Sequence, residues 1–104
     1  MTLNDLFETI KSRAAADPSE SWTAKLMAKG PEKCAEKFGE EAIEAVIEAV
    51  KGDKAKLTSE AADVLFHLMV MLHARNIEFQ DVIDELATRQ GQSGLAEKAA
   101  RNGN

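Results

Sequence analysis

Apolar residues recur along this chain at steps of three and four, and no stretch alternates apolar with polar at the period of two that a half-buried strand requires. Leu3, Leu6, Phe7, Ile10 and Ala14 share one face of a helix predicted from about Leu3 to Ala16, and Thr2 with Asp5 has the spacing of a capping pair. Asp17-Pro18-Ser19 ends it, because proline disfavours helix in the residue before it. A short second helix is expected from about Ser21 to Lys29, carrying Trp22, Leu26 and Met27 and stopping at Gly30. Pro31 opens a third helix, where a missing N–H costs nothing, and Gly52 is its left-handed stop after Lys51. Asp53 caps a fourth that continues to about Arg75, with Asn76 closing it; at 1.5 Å per residue it is about 35 Å long. A fifth spans about Phe79 to Gln90 before Gly91, and the tail from Ser93 to Arg101 has room for a last turn or two. The expected fold class is all-α.

From Val64 to Leu72 the fourth helix reads Val-Leu-Phe-His-Leu-Met-Val-Met-Leu, apolar on every face. A helix of that kind is buried all round, and two other long helices are too few to cover it. A second copy of the chain is the expected cover, so the pattern points to a homodimer in which helices of both chains form one bundle. The 104 residues, without internal repeat, low-complexity stretch or linker, make one domain over 1–104. A chain this short buries only about 60–68 % of its unfolded surface, which gives oligomerisation a further reason.

Composition adds exclusions. Ala, Glu, Lys, Leu and Met dominate and Tyr is absent, which suits helices. The net charge of −5 argues against a general nucleic-acid binder, since phosphate contacts need a basic face. A single cysteine, Cys34, excludes an intramolecular disulfide and a thiolate zinc cage; among Pro31, Ala35 and Phe38 it reads as a small buried or half-buried apolar residue. No basic–apolar–small leader opens the chain, and the run from Val64 to Leu72 is about half of the ~20 residues that span a bilayer. A cytoplasmic protein with no membrane partner is expected.

The chemistry lies in five carboxylates. The third helix carries Glu40, Glu41 and Glu44, and the fourth carries Glu60 and Asp63. Glu41 with Glu44, and Glu60 with Asp63, each form an acid-x-x-acid pair, and residues three apart on a helix point the same way. Glu44 precedes the turn at Gly52-Asp53 by about as many residues as Glu60 follows it. In an antiparallel helical hairpin the two pairs therefore face each other at one height. Their neighbours are apolar: Ala42, Ile43, Ala45, Val46, Ile47 and Val50 beside the first, Ala61, Ala62, Val64 and Leu65 beside the second. Partly buried carboxylates of like charge shift their pKa upward or recruit cations. An all-oxygen cage selects magnesium or manganese, and not zinc, which would want His or Cys. The competing reading is a solvated acidic face of a Glu-rich helix.

Lys25, Lys29, Lys33 and Lys37, spaced by four and broken into two arms at Gly30-Pro31, give this acidic chain a local basic patch beside Glu40 and Glu41. Lysines of that kind hold phosphates as mobile point charges. His67, four residues after Asp63, is read as a core or interface residue, and His73 with Arg75 suits the negative end of the helix dipole.

Two stretches carry a family resemblance. Ser21-Trp22-Thr23-Ala24-Lys25-Leu26-Met27-Ala28-Lys29-Gly30, then Lys33, then Lys37-Phe38-Gly39-Glu40-Glu41-Ala42-x-Glu44, resembles phosphoribosyl-ATP pyrophosphatase, and Ser59-Glu60-Ala61-Ala62-Asp63-Val64-Leu65-Phe66-His67-Leu68 is similar to the second half of its signature. The likeness runs to Gly94-Leu95-x-Glu97-Lys98. The carboxylate pattern alone marks the wider all-α nucleoside-triphosphate pyrophosphohydrolases, the MazG-like group; the Thr-x-Lys-Leu and Lys-x-Gly-Glu-Glu context narrows it. The resemblance implies hydrolysis of phosphoribosyl-ATP to phosphoribosyl-AMP and pyrophosphate, a cytoplasmic homodimer with a four-helix-bundle core, and bound Mg²⁺. It assigns Glu41, Glu44, Glu60 and Asp63 to the metal and Glu40 to the attacking water or a further ion. Thr23, Lys25, Lys29, Lys33, Lys37 and Lys98 are its substrate-binding set. Trp22 departs from the family's usual Tyr, and Glu78 stands where a small hydroxyl residue is expected at a helix N-cap. Two rivals remain at this stage: a sister enzyme acting on dCTP, dUTP or damaged nucleotides, and a non-catalytic helical dimerisation module.

Overall fold

The computed structural model describes residues 1–90, which fold into five helices with no strand among them. α1 (Leu3–Ala14) opens on the capping pair: Thr2 Oγ1 accepts the Asp5 N–H and Asp5 Oδ2 accepts the Thr2 N–H, each at 3.0 Å. The helix stops short of Ala16 because the Ala15 N–H already turns to the Arg13 and Lys11 carbonyls. Asp17 then organises the connection, accepting from the Ser19 N–H and hydroxyl at 2.8 Å each. Those two bonds, the backbone one foremost, hold its carboxyl below the ordinary 3.8.

α2 (Trp22–Ala28) is capped by Ser21, whose Oγ accepts the Ala24 N–H at 3.1 Å and donates to the Arg13 carbonyl at 2.9 Å. One hydroxyl thus starts α2 and ties it to the end of α1. Gly30 at φ 98° turns the chain into α3 (Pro31–Lys51), with proline at the first position as expected. Gly52 at φ 77° ends α3, and Asp53 Oδ1 accepts the Lys56 N–H at 3.0 Å to begin α4 (Lys54–Ala74). α3 and α4 pack as the antiparallel hairpin. Asn76, at φ 60°, closes the second arm.

α5 (Phe79–Arg89) starts without a small hydroxyl residue. Asp81 accepts the Glu78 N–H at 3.3 Å, and the Glu78 carboxylate is held by Lys11 of α1 at 2.8 Å. The ion pair is exposed enough to add little stability. Its effect is to fasten α5 beside α1, where Phe7 and Phe79 meet at 6.2 Å between ring centroids. Expected and observed helix ends differ by one or two residues, which are the half-helical capping positions. The turn expected in Ser93–Arg101 lies outside the described residues.

Phe7, Ile10, Leu26, Cys34, Met69, Val70 and Phe79 form the core, set where α1, α2 and α5 meet the N-terminal half of α3 and the C-terminal half of α4. Cys34 is fully buried, with its Sγ 3.7 Å from the Leu26 carbonyl, and burial pushes its thiol pKa up. The apolar run of α4 is not buried all round within one chain. His67, Met69 and Val70 are buried, but Val64, Phe66, Leu68, Met71 and Leu72 are only partly covered and Leu65 is exposed. α3 also shows solvent a stripe of Ile43, Val46, Ile47 and Val50, from 48 to 83 % exposed. Among the described residues no helix is long and apolar enough to cross a membrane.

A Cβ at Gly52 would meet nothing within 4 Å, so the requirement for glycine there is conformational. Gly52→Ala should cost about 1 kcal/mol through the left-handed backbone alone, lowering the thermal midpoint by roughly 4–8 °C. Urea unfolding measures the loss.

Candidate active site

The hairpin brings the acid-x-x-acid pairs together. Carboxylate oxygens of Glu41 on α3 and of Glu60 and Asp63 on α4 all lie within 4.8 Å of one another, the one such grouping among the described residues. Glu44 stands outside that tight trio. Its charge nonetheless reaches both Glu41 and Glu60 and helps to raise their pKa values. In each case loss of solvent is the largest cause, followed by the charges of Glu44 and Asp63.

Glu60 Oε2 is buried and has no hydrogen-bond partner among the described residues. A buried carboxylate oxygen without a partner is costly, and a cation is the partner that would also cancel the mutual repulsion. The donor set is all oxygen, which fits Mg²⁺ or Mn²⁺ and offers none of the nitrogen or sulfur that zinc prefers. One turn beyond Glu44, the Glu48 side chain is 15 % exposed and its Oε1 also lacks a hydrogen bond among the described residues, with Lys51 Nζ at 3.9 Å. Glu48 was not among the residues expected here. Its signal was the four-residue step that continues Glu40 and Glu44 along one helix face.

Glu40 is exposed and stands apart from the trio, paired with Lys37 at 3.2 Å. Lys37 and Glu40 both act electrostatically on His67, which is 7 % exposed. Burial lowers the pKa of His67; Asp63 opposes the shift, Lys37 adds to it and Glu40 opposes it. The imidazole is therefore neutral at pH 7, packed edge-on to Phe66 at 5.1 Å with Nδ1 unpartnered among the described residues. Lys33 is paired with Glu36 at 3.3 Å, whereas Lys25 and Lys29 are exposed and make no ion pair among the described residues. Thr23 is 3 % exposed at the start of α2. Lys98 lies outside the described residues.

A model of the family described as phosphoribosyl-ATP pyrophosphohydrolase matches residues 3–90, which include every one of these groups. The chain belongs to this family. Relatives carry the name phosphoribosyl-ATP pyrophosphatase: one from Ruegeria pomeroyi is 73 % identical over 99 residues, covering 95 % of this chain and 94 % of the relative. One from Paracoccus denitrificans is 68 % identical over 99 residues, covering 95 % and 92 %. One from Dinoroseobacter shibae is 70 % identical over 93 residues, covering 89 % and 91 %.

The raised carboxylates of this family member carry a sign that can be checked. A carboxylate whose folded pKa lies above its unfolded value stabilises the fold below the ordinary 4.5, and that contribution is lost as pH rises through the raised value. Metal-free Glu60→Gln should then melt above the wild type at pH 7, with the difference shrinking to nothing as pH falls below 4.5. A variant that melts lower than the wild type at pH 7 in EDTA would contradict the strained-carboxylate reading.

Proposed function

We propose that this chain hydrolyses phosphoribosyl-ATP to phosphoribosyl-AMP and pyrophosphate, the second step of histidine biosynthesis, in the cytoplasm. The observation that carries the reading is the convergence of Glu41, Glu60 and Asp63 within 4.8 Å in a chain of this family. Glu41, Glu44, Glu60 and Asp63 would hold Mg²⁺ or Mn²⁺. When bound, the ion supplies charge neutralisation on the non-bridging phosphate oxygens and on the leaving pyrophosphate.

The rest falls to the protein. Glu40, outside the trio, orients the attacking water at the α–β anhydride and takes its proton. Lys25 and Lys29, with no ion pair among the described residues, draw in the phosphates that the metal does not neutralise, and Lys33 and Lys37 can leave their glutamate partners to join them. Thr23 and Lys98 complete the proposed substrate contacts.

The same reading includes a homodimer. On α3 the carboxylates and the stripe of Ile43, Val46, Ile47 and Val50 occupy roughly opposite sides of the helix, given 3.6 residues per turn. The acids face the seam with α4, so the apolar stripe faces out. A second copy laid on that stripe and on Leu65 buries it and closes two hairpins into a four-helix bundle.

Pyrophosphate release from phosphoribosyl-ATP, dCTP and dUTP, each with Mg²⁺ and with EDTA, tests the activity. Release from phosphoribosyl-ATP alone, abolished by EDTA, is the expected result; release only from the deoxynucleotides would move the enzyme to a sister activity. Glu41→Gln and Asp63→Asn should each lower turnover by roughly 100-fold or more, since even outer-shell partners of a bound metal are worth about 10–100-fold. Their circular dichroism should match that of the wild type. For the assembly, light scattering at micromolar concentration should give a dimer mass that Ile47→Lys reduces to the monomer, and a monomeric wild type would refute it.

A further inference from the structure

Between the connection from α1 to α2 and the middle of α4 lies a cavity of about 410 Å³, lined by Arg13, Glu20, Ser21, Trp22, Thr23 and Phe66. Small-molecule sites run from about 300 to 1,000 Å³, so the space suits part of a nucleotide. Two aromatic rings reach it from separate parts of the chain, Trp22 from the first residue of α2 and Phe66 from α4. Trp22, the chain's one tryptophan, is left 50 % exposed here and not used in the core.

The frame around those rings is tied down. The Ser21 hydroxyl joins the Arg13 carbonyl to the cap of α2, and Asp17 locks the preceding turn through Ser19. Thr23 is almost fully buried. Charge decides which part of a substrate belongs there. One arginine and one glutamate nearly cancel, so the cavity gives polyphosphate no net attraction, whereas Trp22 and Phe66 offer flat apolar faces. The Arg13 guanidinium, in no ion pair among the described residues, has donors to spare for ring nitrogens.

Position connects the cavity to the carboxylates. Phe66 follows Asp63 by three residues on α4, so it shares that face and sits about 4.5 Å further along the axis. A nucleotide with its anhydride over the acidic cluster directs its other end along α4 toward Phe66. We infer that this cavity receives the purine base of the nucleotide substrate, stacked on Trp22 and Phe66. The inference rests on the proposed pyrophosphohydrolase activity and assigns the purine, which in phosphoribosyl-ATP lies between the ATP ribose and the phosphoribosyl group.

Because Trp22 is the one tryptophan, its emission reports the cavity directly. In EDTA, AMP should quench it saturably, while ribose 5-phosphate and pyrophosphate, which lack the base, should not. Stacking on an aromatic side chain is worth about 1–3 kcal/mol per base, so Phe66→Leu should weaken the AMP response roughly 5- to 150-fold and Phe66→Tyr should restore it. Trp22→Leu, at an exposed position, should raise KM for phosphoribosyl-ATP over the same range with a much smaller change in kcat, and Trp22→Phe should recover most of it.

Turnover of phosphoribosyl-ATP by the wild type without any AMP response would overturn the base site and leave the activity standing. A saturable AMP response without turnover would support the base site and reject the activity. Equal quenching by ribose 5-phosphate would overturn the assignment to the base, as would a Trp22→Leu enzyme with unchanged KM.

Discussion

Mutual repulsion of carboxylates at a helix–helix seam is the constraint around which this molecule is arranged. Two helices normally meet through apolar side chains, yet α3 and α4 bring Glu41, Glu60 and Asp63 within 4.8 Å of each other. The cost is visible in the raised pKa values of Glu41 and Glu60 and in a Glu60 oxygen that finds no hydrogen-bond partner among the described residues. Something else must hold the helices there. The two-residue turn at Gly52 and Asp53 sets their register, and the core of Phe7, Ile10, Leu26, Cys34, Met69, Val70 and Phe79 clamps the opposite end of the hairpin. The strained seam lies between these two fixed ends.

Placing acids inside the hairpin has a consequence on its outside. A helix that spends one face on carboxylates has its apolar residues elsewhere, and on α3 these are Ile43, Val46, Ile47 and Val50, all largely exposed. In the proposed dimer the apolar interior of a bundle is restored between chains. The acidic cluster and the exposed apolar stripe then have one cause, the choice of which α3 face meets α4.

Much of this was legible in the amino-acid sequence because it depends on local rules. Gly52 and Asp53 announce a left-handed stop and an N-cap, and counting outward from them at 3.6 residues per turn puts Glu41 opposite Asp63 and Glu44 opposite Glu60. The burial of α4 was less legible. A run apolar on every side tells that it wants more cover than one chain supplies, and Leu65 is exposed within one chain, but which of its residues the chain covers by itself depends on how the other helices dock. The aromatic cavity was out of reach for a different reason. Trp22 and Phe66 lie on elements distant in sequence, and only the docking of the α1–α2 connection on α4 brings them to one space. Trp22 stood out as a departure from the family's usual Tyr, but nothing local gave it a neighbour.

The central claim, that the strained seam is a place for a divalent cation, is tested most directly by calorimetric titration of Mn²⁺ into the metal-free wild type and into Glu60→Gln. Saturable binding to the wild type at pH 7, lost in Glu60→Gln, is the predicted result. Weak, non-saturating heats that are the same in both proteins would contradict it.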